Sequence, residues 1–128
     1  MSPAYDALVE WLRERFGESL RWVASFDSDR YTYRVRHVRE DLRGELTEQQ
    51  LDVIIHRSMA VYSRHRLEDV YRHLGTAHSM VVGHERATAV HLYLQGSDGV
   101  VVKLAPEASV TTPAFTEEAM AVLFPEQR

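Results

Sequence analysis

Between Thr47 and Gly75 the chain carries two apolar stripes that one straight helix cannot bury together. The run Leu46-Thr47-Glu48-Gln49-Gln50-Leu51 is a helix start. The Thr47 hydroxyl can accept from the Gln50 amide, Gln50 can reach back to the Thr47 amide, and Leu46 and Leu51 flank the cap as a hydrophobic staple. Leu51, Ile54, Ile55, Ser58 and Tyr62 then share one face, and Leu67, Val70, Tyr71 and Leu74 form a second set. At 3.6 residues per turn the two sets lie about 150° apart. Burying a leucine stabilises by about 1.5–3 kcal/mol, so water is a costly place for either stripe. The intervening Ser63-Arg64-His65-Arg66 is polar throughout, which predicts a kink or break there and a surface for each piece. Gly75 ends the second piece, since glycine takes the left-handed conformation that closes helices. The first piece is apolar around much of its circumference, so its outer side also needs a covering surface. Val53, Met59, Val61 and Tyr62 are therefore the candidate subunit-interface residues.

The flanking sequence alternates between helical and strand periods. Ser2-Pro3 reads as a capped start for a helix with Tyr5, Leu8, Val9, Leu12 and Phe16 on one side, closed by Gly17. Leu20, Trp22, Ala24 and Phe26 alternate with Arg21, Val23, Ser25 and Asp27 as a strand. Asp27 to Arg30 is a turn, and Tyr31 to Val38 alternates again. Three short strands follow at 79–82, 87–94 and 100–104, the last two joined by Gln95-Gly96-Ser97-Asp98-Gly99. Thr112-Pro113 starts a final helix with Phe115, Ala119, Val122 and Leu123 on its apolar side. The order is α-β-β-α-β-β-β-α. Short connections favour antiparallel pairing, so the expected fold is α+β, a five-stranded antiparallel sheet with helices packed on it. No linker or repeat divides the 128 residues, so 1–128 is expected to be a single domain. The order resembles that of roadblock-type and profilin-like domains.

The chain has no cysteine, which excludes disulfides, thiolate nucleophiles and cysteine-ligated zinc. No segment offers the ~20 apolar residues of a membrane span, and Met1 to Asp6 lacks a signal-peptide pattern. A cytoplasmic protein with no membrane partner is expected. The formal charge of -4 excludes a globally cationic nucleic-acid binder. Locally the balance shifts: residues 30–46 hold five arginines against three acids. The second strand sets Thr32, Arg34, Arg36 and Val38 opposite Tyr31, Tyr33, Val35 and His37. With Arg21 on the neighbouring strand and Arg39 beyond the strand end, Arg21, Arg34, Arg36 and Arg39 are the candidate anion- or nucleic-acid-binding residues.

No constellation points to catalysis. None of the seven histidines shares a helix face with another at three- or four-residue spacing. His84 and His91, with Glu85, can meet only across a hairpin. No serine lies in a Gly-x-Ser-x-Gly elbow, and no glycine loop is built to cradle phosphate. Glu117 and Glu118 suit the first turn of a helix, where acids complement the dipole. No catalytic residue, metal or cofactor is expected.

The stretches Phe26-Asp27-Ser28-Asp29-Arg30-Tyr31, Val38-Arg39-Glu40-Asp41-Leu42, Val70-Tyr71-Arg72-His73-Leu74-Gly75 and Ala89-Val90-His91-Leu92-Tyr93-Leu94 resemble small uncharacterised proteins of halophilic archaea. The resemblance covers most of the chain, implies a cytoplasmic archaeal protein and transfers no functional residues. The roadblock-type resemblance implies dimerisation through the middle helix. Together these readings describe a non-enzymatic interaction or regulatory module that forms a homodimer and meets an acidic partner. Two alternatives stand beside it: a nucleic-acid-binding protein using the arginine face, and a small-ligand-binding protein or enzyme with a histidine-lined site at His84 and His91.

Overall fold

The computed structural model describes residues 2–44 and 46–127. Met1, Glu45 and Arg128, which the expectation of one domain over 1–128 includes, lie outside them. Five strands, β1 (Leu20–Asp27), β2 (Thr32–Val38), β3 (Ser79–Gly83), β4 (Thr88–Tyr93) and β5 (Asp98–Leu104), form one sheet in the order β2-β1-β5-β4-β3. Every pairing is antiparallel. Because β2 and β3 are the two edges, residues 39–78 must carry the chain across the full width of the sheet.

Among the described residues the α-helices are α1 (Tyr5–Phe16), α2 (Glu48–Val61), α3 (Arg64–Val70) and α4 (Ala114–Leu123), of which α1, α2 and α4 cover the two faces. On one face α1 and α4 bury Leu8, Leu12, Phe115 and Leu123 against Val23, Val90, Leu92 and Val102. On the other, α2 lays Leu51, Ile55 and Met59 on Trp22, Ala24, Phe26 and Val101. The expected α+β class and five-stranded antiparallel sheet are what the chain forms.

Several local details depart from simple alternation. Leu20 belongs to the α1/α4 core while Trp22, Ala24 and Phe26 belong to the α2 core. The pairing with β5 slips between Leu20 and Trp22, which lets one strand change the face of its apolar residues. On β2, Val23 pairs with His37 and Ala24 with Val35, leaving Arg36 as an extra residue. That bulge brings Val38 into the α2 core with Tyr33 and Val35. It sends His37 to the side of Glu10 and Arg13 on α1. The expected grouping of Val38 with Arg34, and of His37 with Val35, is thus reversed by one residue of bulge. The caps at Ser2 and Thr112 do not form. Ala4 precedes α1 with no side-chain cap, its N–H donating to the Leu123 carbonyl at 2.8 Å. Pro113 precedes α4 equally uncapped.

The capping box at Thr47 and Gln50 forms in full. The break in the middle helix also forms. α2 ends at Val61, and Ser63 starts α3 by accepting from the Arg66 N–H at 3.3 Å. Burial does not follow, however. No residue of α3 is buried, and Val70, Tyr71 and Leu74 stand 71%, 57% and 68% exposed. Polar contacts hold this segment instead, such as the Glu68 carboxylate accepting from the Ala77 N–H at 2.8 Å. Breaking the helix separates the two stripes without covering the second.

Gly99 on β5 faces Phe26 on β1, and a Cβ there would collide with the Phe26 ring. Gly99→Ala should therefore destabilise the chain by about 1–3 kcal/mol, the cost of overpacking a filled core. Urea unfolding of the two proteins measures this, and equal midpoints would contradict the packing described here.

Candidate functional site

The outward side of α2 carries an exposed row at four-residue spacing: Val53, Arg57 and Val61. It lies opposite the buried row Leu51, Ile55 and Met59. Of the four candidate interface residues, Val53 and Val61 are 44% and 58% exposed. Met59 is a correction, because it is buried in the core against the sheet and cannot meet another subunit there. Tyr62 turns inward too: its ring lies 5.1 Å from that of His91, and its carbonyl accepts from the Tyr93 hydroxyl at 2.6 Å. Burial pushes the Tyr93 phenol up to about 12, which keeps it a hydrogen-bond donor at neutral pH. This pair fixes the end of α2 to β4.

Among the described residues, the exposed large apolar side chains are Tyr31, Val53, Val61, Val70, Tyr71, Leu74 and Val81. All but Tyr31 belong to the segment from α2 to β3. Val70, Tyr71 and Leu74 are the second stripe of the middle helix, legible in the sequence as apolar but not as exposed.

The four candidate arginines separate into two pairs. Arg36 is held between α1 and β1: its Nε donates to the Ser25 hydroxyl at 2.8 Å, and its guanidinium lies 4.2 Å from the Tyr5 ring centroid. Burial, then the neighbouring Arg34, lowers its proton affinity. Arg34 and Arg36 line a cleft of about 480 Å³ shared with the carboxylates of Asp27 and Asp98. At the other end of β2, Arg39 donates to both Asp41 carboxylate oxygens and to the Glu18 carbonyl. It lines a groove of about 1000 Å³ in which five acids, Glu10, Glu14, Glu18, Glu40 and Asp41, outnumber Arg13, Arg39 and Arg43. Arg21 donates to the Arg86 carbonyl at 2.9 Å. Carboxylates therefore interrupt both arginine pairs.

His84 and His91 do not meet. His84 and Glu85 are exposed in the turn after β3, whereas His91 pairs with Met80 and is 2% exposed. His84 lies four residues along the chain from Met80, the partner of His91. Among the described residues no three metal-ligating side chains converge, and no helix is long and apolar enough to cross a membrane.

Residues 6–124 match the model of the family described as "Domain of unknown function (DUF7522)". The chain belongs to this family. Among solved structures, the DUF7522 chain is similar to the Roadblock/LC7 domain from Streptomyces avermitilis. That match has a TM-score of 0.63 at 15% identity and covers 95% of this chain and 93% of the other. It is also similar to the gliding protein mglB from Thermus thermophilus, with a TM-score of 0.65 at 16% identity over 100% and 94% of the two chains. At such identities the likeness shows the fold alone, and it agrees with the roadblock-type order of elements read from the sequence. The comparison with curated proteins gives no match.

Sequence reasoning passed over the inward setting of His91. Burial first, and Lys103 second, push its imidazole from 6.5 down to about 4. Above 6.5 neither the folded nor the unfolded chain protonates this histidine; between 6.5 and 4 only the unfolded chain does. Its contribution is thus present above 6.5 and is lost as the pH falls, by about 2 kcal/mol between about pH 7 and pH 5. His37, also pushed down by burial, adds to this trend, while His56, raised by its bond to the Tyr31 carbonyl, opposes it. Subtracting the unfolding profile of His91→Leu isolates the His91 part. The variant should lose about 2 kcal/mol less stability over that interval, and parallel profiles would contradict the burial of a neutral imidazole.

Proposed function

We propose that this DUF7522 chain is a non-enzymatic interaction or regulatory module of the cytoplasm that works as a homodimer. The observation that carries the reading is the concentration of exposed apolar side chains between α2 and β3. Scattered single apolar residues on a surface are ordinary, but Val70, Tyr71 and Leu74 facing water together beside half-buried Leu67 mark a surface that another protein covers. A two-fold axis is the commonest way for identical chains to do so. The Val53-Arg57-Val61 row and the Val70, Tyr71 and Leu74 side chains supply the subunit contact. Exposed Arg66 beside them suits an acidic protein partner. The interrupted arginine pairs favour this reading over a nucleic-acid surface, since a polyanion laid along either pair meets carboxylates as well.

Light scattering over a concentration series should give about twice the chain mass of 14.8 kDa. Val61→Glu combined with Leu74→Glu should yield a monomer with an unchanged circular dichroism spectrum, because both positions are exposed in the single chain. A wild-type chain that stays monomeric at every concentration rejects the homodimer, and a double variant that stays dimeric rejects this surface.

A further inference from the structure

A cleft of about 510 Å³ opens between α4 and the strand ends nearest β3, a size suited to a small molecule. Part of its lining is apolar, with Leu94 beyond β4, Met120 from the second half of α4 and Phe124 just past its end. Arg64, the first residue of α3, also lines it. The Arg64 guanidinium lies over the Tyr93 ring, 5.5 Å from its centroid, a contact weaker than an ion pair. Its Nε is buried with no hydrogen-bond partner, and among the described residues it has no ion pair. A partly buried cation left this way is costly, and an oxyanion answers it, because two of its oxygens match the guanidinium fork.

We propose that this cleft binds a small organic acid carrying a single carboxylate on an apolar stem. The carboxylate pairs with Arg64, and the stem lies along Leu94, Met120 and Phe124. Glu117, also on the cleft wall, sets the charge limit. A phosphate dianion on Arg64 meets this second carboxylate in a small space, whereas a monoanion meets it with half the charge. A second cleft of about 660 Å³ shares His78, Glu117 and Met120 with the first and runs on along α4, leaving room for an extended stem. The site shares no residue with the Val53-Arg57-Val61 row or with Val70, Tyr71 and Leu74, and its test reads ligand binding rather than assembly.

The test is an amide-resolved NMR titration of the full chain with three probes at millimolar concentration: 3-phenylpropionate, the uncharged 3-phenylpropanamide, and phenyl phosphate. The carboxylate should produce saturable shifts at Gln95, Ala121 and their neighbours, and should bind roughly tenfold more tightly than the amide. Arg64→Gln should remove that advantage and leave the affinity for the amide unchanged, while Glu117→Gln should strengthen phenyl phosphate several-fold. No saturable shift with the carboxylate, or equal binding of carboxylate and amide to the wild-type chain, overturns the proposal. The second comparison needs no variant, so it holds even if Arg64→Gln unfolds the chain. A wild-type chain that stays monomeric yet binds the carboxylate rejects the homodimer and leaves this site standing.

Discussion

The fold depends on one burial: Leu51, Ile55 and Met59 of α2 against Trp22, Ala24, Phe26 and Val101 of the sheet. Because β2 and β3 are opposite edges, the connection between them has to cross a sheet face, and only an apolar stripe can rest there. The capping box at Thr47 and Gln50 sets where that helix begins. The Tyr93 hydroxyl on the Tyr62 carbonyl holds its far end. Once α2 lies on this face, α1 and α4 are left to cover the other, and every strand of the centre is buried on both sides.

The same burial determines what is left in water. The stripe on α2 and the stripe beyond it point in different directions, so seating the first obliges the second to find another place. Ser63 supplies the turn by capping a new helix, but the sheet face is already occupied where α2 rests. Val70, Tyr71 and Leu74 therefore remain on the surface, and the exposed patch is a consequence of the packing rather than a separate feature. Arg64 stands at the same break, between the covered helix and the uncovered one, which is why its charge lies beside a cleft rather than in bulk solvent.

Most of the architecture was legible because it rests on periodicity. The order of elements, the antiparallel sheet, the capping box and the break at Ser63 all follow from residue spacing and cap chemistry. Two kinds of information were not. A bulge at Arg36 and a slip after Leu20 reverse which residues face the core, and nothing in an alternating run marks where a strand will slip. Tertiary contact decided the rest. Met59 has the composition of an interface residue and the position of a core residue. His91 has the chemistry of a ligand and the surroundings of a buried side chain. Arg21, Arg34, Arg36 and Arg39 fall on or beside neighbouring strands, yet Ser25, Tyr5, Asp41 and backbone carbonyls divide them into separate contacts.

We propose that a second copy of the chain covers the exposed Val70, Tyr71 and Leu74. Hydrogen exchange of the amides in residues 64–74, followed as the protein is concentrated, tests it most directly. The segment has no buried side chain of its own, so in a monomer its amides should exchange with little protection. Dimerisation through this surface should raise protection here with concentration while protection in β1 and β5 stays constant. Protection of residues 64–74 that does not change with concentration would contradict it.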